Sequence, residues 1–311
     1  MTSNDQIRSK ALALGFSHCG FAKAEPLESL RPFYLDFTGQ KRYAGMKFLE
    51  RYTEQRLNPE LLLSGVRSVI AVLMNYYPEE LIPEEDNFIV AKYAYGMDYQ
   101  PLIKERLNVL KEFMDNSFPG TLSRTFIDSG PVLEKAWAQR CGVGWQGKHT
   151  VVINKENGSF LFIGIILTTL NLDVDEPETD HCGKCTRCID ACPTGALDSP
   201  YQLEINRCLS YHTIENRGLI PDAVRGKFHN RIFGCDICQD ACPYNRFSKP
   251  QQEEHFRLQP GTRKLKKTHW LNMTEEEFDQ IFQHSEIKRT GYQTLKRNME
   301  LAGYTSEQTE D

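Results

Sequence analysis

The sequence has no apolar run long enough to cross a membrane and no export signal. Its longest apolar stretch, residues 160–170, has the length of a strand, whereas a membrane-spanning helix needs about 20 apolar residues. The N-terminus, MTSNDQIRSK, lacks the apolar core of a signal peptide. We therefore expect a cytoplasmic protein with no membrane partner.

Positive charge is not in excess either. The chain has 37 Lys and Arg residues against 42 Asp and Glu residues, a formal net charge of −5. A basic field over the whole surface is thereby excluded, so a nucleic acid would have to bind a local patch. The chain has 311 residues, which suits two domains better than one.

Nucleotide-binding motifs are missing as well. No GxGxxG follows a predicted strand, so a Rossmann dinucleotide site is not supported. The glycine-rich segment 142–148 (GVGWQGK) lacks the P-loop spacing. It could cradle the polar tail of a large cofactor with backbone N–H groups, or it could be a simple turn between a helix and a strand.

Cysteine is what the sequence has in quantity. The ten cysteines are Cys19, Cys141, Cys182, Cys185, Cys188, Cys192, Cys208, Cys235, Cys238 and Cys242. In a reducing compartment such a set indicates metal or redox chemistry rather than disulfides. The run from residue 182 to 193, CxxCxxCxxxCP, has the spacing of bacterial ferredoxins, and residues 235–243 repeat it in part.

This spacing predicts two interlocked [4Fe-4S] clusters. Three closely spaced cysteines hold one cluster, while the cysteine before the proline binds the other cluster. We assign Cys182, Cys185, Cys188 and Cys242 to cluster 1, and Cys192, Cys208, Cys235 and Cys238 to cluster 2. A pair of zinc sites is the alternative. Cys19 and Cys141 are expected to be buried small hydrophobic residues.

Hydrophobic patterning predicts an α+β protein. Helices are expected over residues 4–14, 98–116 and 131–141, and strands over residues 66–76, 123–127, 150–154 and 160–170. A turn at residues 156–158 is expected to join the last two strands. Asp98 and Thr274 are predicted to cap helices.

Asp128 is the candidate acid. It ends an apolar strand and precedes Ser-Gly-Pro and a helix, which is a common position for a catalytic carboxyl group. A role as a helix cap or turn former is the alternative.

Several segments together resemble the epoxyqueuosine reductase (QueG) family. They are residues 126–134 (FIDSGPVLE), 144–150 (GWQGKHT), 208–211 (CLSY), 233–243 (FGCDICQDACP), 287–289 (IKR) and 295–298 (LKRN). The resemblance is collinear over nearly the whole chain. Longer members continue into a helical-repeat domain, whereas this chain is expected to be a short form that ends near Gly303.

The resemblance implies a fold in three parts. Residues 1–173 would form a cobalamin-binding catalytic α/β domain with a mixed sheet. Residues 174–250 would form a ferredoxin-like domain with two [4Fe-4S] clusters, and residues 251–311 a basic helical C-terminal segment. The protein would be an oxidoreductase that uses cobalamin to reduce the epoxide of epoxyqueuosine in tRNA, giving queuosine in the last step of its biosynthesis.

Site residues follow from the same resemblance. Asp128 matches the proposed proton donor of the family. The positions that match cobalamin contacts are Arg51, Asp128, Val152, Ile163, Ser210, Cys235 and Asp236. The implied partners are the anticodon stem-loop of the modified tRNA and an external electron donor, such as a flavodoxin, a ferredoxin or a reductase. We expect a monomer.

An RNA partner also fits the charge distribution. Between Arg257 and Arg297 there are nine Lys and Arg residues against five Asp and Glu residues, a local net charge of +4. Lys266, Lys267 and Arg297 are therefore candidate phosphate contacts, although a solvated tail would have a similar composition.

Two other functions stay open. The first is a corrinoid enzyme that acts on a small molecule, like a reductive dehalogenase; the basic C-terminal segment and the missing export signal argue against it. The second is an electron-transfer module without catalytic activity, and the size of the N-terminal domain argues against that.

Overall fold

The computed structural model describes residues 2–303. The strands are β1 His18–Lys23, β2 Ser68–Asn75, β3 Ile89–Val90, β4 Ser123–Phe126, β5 Trp145–Gln146, β6 Val152–Ile153, β7 Leu161–Thr168 and β8 Arg231–Phe233. The helices are α1 Ser3–Ala13, α2 Arg31–Gly39, α3 Thr53–Leu57, α4 Tyr99–Ser117, α5 Glu134–Arg140, α6 Arg187–Asp190, α7 Leu209–Ile214, α8 Ile237–Asp240, α9 Pro260–Arg263, α10 Lys267–Asn272, α11 Glu275–Ile281, α12 Ile287–Thr290 and α13 Tyr292–Gly303. Within these described residues, no helix combines the length and the apolar character that a membrane span requires.

Four strands form a central sheet in the order β1-β2-β7-β4, and each neighbouring pair is antiparallel. The prediction of a mixed sheet is therefore wrong. An apolar run predicts that a strand is buried, and β2 is indeed buried along almost its whole length. Covering helices can bury strands of either direction, so the run carries no information about direction.

Helices cover both faces of this sheet. On one face Ile70 of β2 packs in a core with Ile7 of α1 and Leu107 of α4. On the other face Ala71 packs in a second core with Trp137 of α5. Because neighbouring residues of a strand point to opposite faces, a continuous apolar strand supplies both cores.

Most predicted elements of the N-terminal half are confirmed, with bounds that shift by at most two residues for α1, β2, α4 and β4. Asp98 caps α4, since its Oδ1 accepts a hydrogen bond of 2.8 Å from the backbone N–H of Gln100. The helix expected from residue 131 begins only at Glu134. The preceding residues form a turn in which Asp128 has a φ of +54°.

The hairpin expected from strands 150–154 and 160–170 is wrong. The turn between them closes only the isolated bridge from Asn154 to Gly158. β6 instead pairs with β5, and β7 lies between β2 and β4 in the central sheet. A turn signal between two strands is local, so it does not show that β6 pairs with β5 while β7 pairs with β2 and β4.

The C-terminal helices belong to a third core and are not a solvated tail. Trp270 of α10 and Leu295 of α13 are buried, as is Phe282 directly after α11. The same core contains Phe88, which directly precedes β3, and Phe233 of β8; β3 and β8 form a short parallel pair. The predicted cap of α11 is confirmed, because Thr274 and Glu277 form a reciprocal capping box.

Candidate functional site

Four of the cysteines gather around α6 and α8. Burial raises the pKa of the Cys188 thiol to about 11, and repulsion from Cys242 and Cys182 adds to the shift. Burial likewise raises the pKa of Cys242, with Cys182 and Cys185 as neighbouring thiolates. The structure therefore brings Cys242 close to the three cysteines that precede it by more than 50 residues.

The other four cysteines form a second group. Burial raises the pKa of Cys238 well above its usual value, and the thiolates of Cys235, Cys208 and Cys192 raise it further. Each group supplies four thiolates, the ligand set that an iron–sulfur cube takes. Among residues 2–303 no three His, Cys, Asp or Glu side chains converge tightly enough to hold a single metal ion. Metal analysis is what distinguishes clusters from zinc.

The glycine-rich segment supports the first cysteine group. Lys148 Nζ donates hydrogen bonds to the carbonyl oxygens of Gly183 (2.6 Å) and Cys185 (3.0 Å). The Trp145 indole is fully buried against Cys182, and its Nε1 has no conventional partner. Burial raises the pKa of Cys182, while the indole N–H lowers it. The segment thus does more than turn the chain, since it positions a cysteine loop.

Asp128 lies at the end of β4, exposed, and is held by two side chains from the start of α4. Its Oδ2 accepts hydrogen bonds from Tyr99 Oη (2.8 Å) and from Gln100 Nε2 (3.2 Å). Tyr99 is itself fixed by stacking on Phe162, with a ring separation of 4.0 Å. Burial and the nearby Asp128 carboxylate raise the pKa of Tyr99, so its hydroxyl stays protonated. The acid is therefore oriented before any substrate arrives.

Lys135 lies between this acid and the second cysteine group. Its side chain is exposed to solvent, while the protein around it lowers the pKa of its ammonium group. Glu134, Asp128, Cys238 and Cys208 are all close enough to act on its charge. The region around Lys135 thus adjoins both the candidate acid and the second cysteine group, and we call this region the cleft.

Two buried polar atoms near Lys135 have no partner in the protein. One is Nε2 of His149, a residue that is 3% exposed. Its Nδ1 accepts a hydrogen bond of 3.2 Å from Val151, and burial with the nearby Lys135 lowers its pKa to about 4. His149 is therefore neutral and offers Nε2–H as a donor. The other atom is Oε1 of Glu134, whose pKa burial raises to about 7.

The other residues expected to contact a cofactor lie on several elements. Arg51 is exposed in a turn, and its carbonyl oxygen accepts a hydrogen bond of 3.2 Å from Arg56, which in turn is close enough to affect Glu134. Val152 is buried in β6, and Ile163 of β7 packs partly buried on the second core. Val152 and Ile163 share this core with Trp137 of α5, the helix that carries Lys135.

Three further candidates lie beside the second cysteine group. Ser210 is in the first turn of α7, and Cys235 directly precedes Asp236. Asp236 is buried, and its Oδ2 accepts a hydrogen bond of 2.8 Å from the backbone N–H of Lys92. That oxygen is thus already engaged within the protein.

Sequence reasoning did not identify Tyr99, Gln100, Lys135 or His149 as site residues. Their only local signals were the cap at Asp98 and the segments that resemble the family. Tyr99 and Asp128 are 29 residues apart in the chain and meet only because α4 packs against β4 and β7.

One of the expected phosphate contacts, Arg297, is already engaged within the protein. The guanidinium group of Arg297 donates hydrogen bonds to the carbonyl oxygens of His212 (2.7 Å) and Gly218 (2.8 Å), so it ties α13 to α7 and the following loop. Lys266 lies 3.5 Å from Asp86, and Lys267 lies over the ring of Phe88. The sequence alone does not show which basic side chains form hydrogen bonds within the protein and which stay available to RNA.

Comparison with known proteins matches both halves of the chain. The family model "Epoxyqueuosine reductase QueG" matches residues 56–129, and the model of a 4Fe-4S double cluster binding domain matches residues 181–245. An epoxyqueuosine reductase of Cellulophaga algicola is 44% identical over 96% of this chain and 97% of its own length. The Escherichia coli enzyme is 36% identical over 96% of this chain and 79% of its own length.

Solved structures agree with the sequence comparison. A crystal structure of epoxyqueuosine reductase with an epoxyqueuosine-modified tRNA-Tyr stem loop has a TM-score of 0.88 and 30% identity, and it covers 96% of this chain and 80% of that chain. A Bacillus subtilis epoxyqueuosine reductase, described with an aspartate catalytic loop swung out of the active site, has the same TM-score at 29% identity, with the same coverage of both chains.

Proposed function

This chain belongs to the epoxyqueuosine reductase family, and we propose that it reduces the epoxide of epoxyqueuosine in tRNA to give queuosine. The observation that carries the proposal is the setting of Asp128, whose carboxyl group accepts hydrogen bonds from Tyr99 and Gln100 and adjoins Lys135, which in turn adjoins the second cysteine group. A candidate proton donor and a candidate source of electrons therefore lie in the same region, which is what the reduction of an epoxide requires.

We assign the two cysteine groups to two [4Fe-4S] clusters. Cluster 1 is held by Cys182, Cys185, Cys188 and Cys242, and cluster 2 by Cys192, Cys208, Cys235 and Cys238. The placement of Cys242 beside the first three cysteines supports this interlocked pattern. Cluster 2 then lies on the side of Lys135, so it is the cluster nearer to the cleft.

The polar atoms of the cleft fit cobalamin. Its corrin ring carries peripheral amides, each of which can donate and accept hydrogen bonds. His149 Nε2–H is a buried donor without a protein partner, and Glu134 Oε1 is a buried acceptor without one. Since such groups are costly to bury unpaired, a small side-chain shift that let amides of the bound ring pair with them would favour binding. Arg51, Val152, Ile163 and Ser210 would hold other parts of the same group.

The chain's own residues supply the proton. When bound, the clusters relay electrons and cobalamin supplies a reduced cobalt that can deliver two of them to the epoxide. Removal of the epoxide oxygen as water also consumes two protons and leaves a carbon–carbon double bond. Asp128 is placed to give the first proton to the oxygen, because Tyr99 and Gln100 hold its carboxyl group at the cleft. General acid catalysis of this kind contributes about 10²–10⁴-fold to a rate.

The tRNA is expected to contact the C-terminal helices with its phosphates. Lys264 and Lys296 are exposed and form no ion pair within residues 2–303, and Lys266 and Lys267 remain near the surface. Their charges attract RNA despite the negative net charge of the chain.

The test is anaerobic turnover with defined cofactor content. Protein reconstituted with iron, sulfide and cobalamin should convert epoxyqueuosine-containing tRNA to queuosine-containing tRNA, measured by mass spectrometry of the released nucleosides. Protein that carries both clusters but no cobalamin should show no conversion. Turnover without cobalt, or no turnover by fully loaded protein, would overturn the proposal.

A further inference from the structure

The loop that carries Cys182, Cys185 and Cys188 is far more open to solvent than the corresponding loop of the second group. Gly183, Lys184, Thr186 and Arg187 are all exposed. In the second group Gly234, Asp236 and Gln239, the neighbours of Cys235 and Cys238, are buried. The segment around Cys182 and Cys185 is therefore more accessible to an external electron carrier than the segment around Cys235 and Cys238.

Exposed basic side chains and an exposed aromatic ring lie on the open side of the first group. Phe247 is 42% exposed, and the guanidinium group of Arg246 lies over its ring at 4.6 Å. Tyr244, whose ring centre is 6.4 Å from that of Phe247, reaches the carbonyl oxygen of His181 beside the cysteine loop. The two segments therefore border the same cluster position.

Charges on this side are available to a partner. Lys184, Arg187, Arg246 and Lys249 are exposed, and none of them forms an ion pair in the described part of the chain. The acids beside the loop are partly engaged: Asp180 accepts hydrogen bonds from Tyr201 and Cys182, and Asp190 accepts one from Thr186. We define the electron-input surface as Lys184, Arg187, Arg246, Phe247 and Lys249.

We propose that a small acidic electron-carrier protein docks on the electron-input surface and reduces cluster 1. The proposal rests on the cluster assignment made above. Each docking event transfers one electron, which oxidises the carrier's flavin or iron–sulfur centre and reduces cluster 1. Two such events supply the two electrons that one epoxide consumes. Opposite charges on the two proteins would speed their encounter, and Phe247 would give the contact an apolar centre.

The test compares a protein reductant with a chemical one. Lys184→Glu combined with Arg187→Glu should slow the reduction of the clusters by reduced flavodoxin about 10-fold or more at low salt, measured anaerobically by stopped-flow absorbance of the reconstituted holoenzyme. The difference should shrink as salt increases. Reduction by dithionite, a small ion that needs no docking surface, should proceed with the wild-type amplitude.

Arg67→Glu combined with Lys104→Glu is the matched control. Both residues are exposed, and Arg67 precedes β2 at the end opposite Asn75, whose side chain contacts Lys249. This variant has the same change in net charge and should keep the wild-type rate with flavodoxin.

Three results separate the possible failures. Wild-type rates with flavodoxin in the Lys184/Arg187 variant would overturn the docking proposal, and so would a loss of tRNA affinity without a loss of electron transfer. If charge reversal also reduced the dithionite amplitude, Lys184→Gln with Arg187→Gln would decide, since the proposal requires that variant to be slowed with flavodoxin alone. Wild-type protein that holds no iron would instead contradict the proposed function.

Discussion

At the scale of single residues, Asp128 is the position on which the proposed chemistry depends. It is a non-glycine residue with a φ of +54°, a conformation that Asn and Asp tolerate better than most residues. Two donors orient one of its oxygens, which leaves the other free to face a substrate. A plain turn former needs no such side-chain clamp, so the geometry indicates a carboxyl group that is held in a fixed orientation for a substrate.

Asp128→Asn should lower turnover of epoxyqueuosine by about 10²–10⁴-fold, because an amide keeps the shape but is too weak an acid to protonate the leaving oxygen. Cobalt content, iron content and tRNA affinity should stay at wild-type levels. Asp128→Glu should retain some activity, limited by the displaced carboxyl group. Turnover of the Asn variant within a few-fold of wild type would show that the proton comes from water or from another side chain.

Trp145 should tune the cluster that we assign to Cys182. Hydrogen bonds to cluster sulfurs raise the reduction potential, because they stabilise the more negative reduced state. Trp145→Phe removes the buried indole N–H beside Cys182 and should lower the potential of that cluster by tens of millivolts, on the order of the effect of one hydrogen bond. A redox titration followed by electron paramagnetic resonance measures it.

Trp270→Phe provides the control for this experiment. Trp270 is equally buried, but its Nε1 donates a hydrogen bond of 3.0 Å to Asn87, in the C-terminal core. That variant should leave both potentials unchanged. Equal potentials in Trp145→Phe and wild type would mean that the indole only fills space.

At the scale of elements, the cysteines of the two motifs lie in or beside two short helices, α6 and α8. Cys242→Ala should remove about half of the bound iron and should damage the cluster of Cys182, although it lies more than 50 residues away. Cys182→Ala should give the same spectrum, whereas Cys192→Ala should damage the other cluster. Cys141→Ala, a buried thiol outside both groups, should keep both clusters.

That experiment also separates the two possible assignments. If Cys242→Ala lost the cluster of Cys235 and Cys238 and kept that of Cys182, the motifs would each bind their own cluster. Iron analysis alone would not show this difference, so the variants need spectroscopy of the remaining cluster.

Elements that local patterns define were predictable, and their partners were not. β2 and α4 followed from a continuous apolar run and from the cap at Asp98, because both signals act within a few residues. β6 pairs with β5 because β7, the next strand along the chain, already pairs with β2 and β4 in the central sheet. The grouping of the cysteines could be predicted because their spacing carries long-range information, and it stays a prediction, whereas the Tyr99–Asp128 contact has no spacing signal.

At the scale of the whole molecule, the C-terminal helices are joined to the catalytic cleft through the first turn of α4. The backbone N–H of Asp98 donates a hydrogen bond of 2.7 Å to the carbonyl oxygen of His284, and His255 contacts the carbonyl oxygen of Asp98 at 2.9 Å. The next two residues, Tyr99 and Gln100, hold Asp128. The segment predicted as basic and helical therefore also helps to fix the position of the candidate acid.

Glu286 makes this junction sensitive to pH. Its carboxyl group is almost fully buried near that of Asp98, and Oε1 makes no conventional hydrogen bond. Burial, and then the proximity of Asp98, raise its pKa to about 8, while Arg289 acts in the opposite direction and Asp128 adds a smaller repulsion. The folded protein thus keeps a proton on Glu286 that the unfolded chain releases at a pH near 4.5.

Because the folded state binds the extra proton, the contribution of Glu286 to the free energy of unfolding should fall as pH rises from about 4.5 to about 8 and should then level off. Glu286→Gln, which stays neutral and can still donate a hydrogen bond, should flatten this slope and should be more stable than wild type at pH 8. Urea denaturation at pH 6 and pH 8 measures the change, with the exposed Glu276→Gln as a control that should keep the wild-type slope. If Glu286→Gln kept that slope too, the pH dependence would arise elsewhere, and Glu286 would be ionised within the junction.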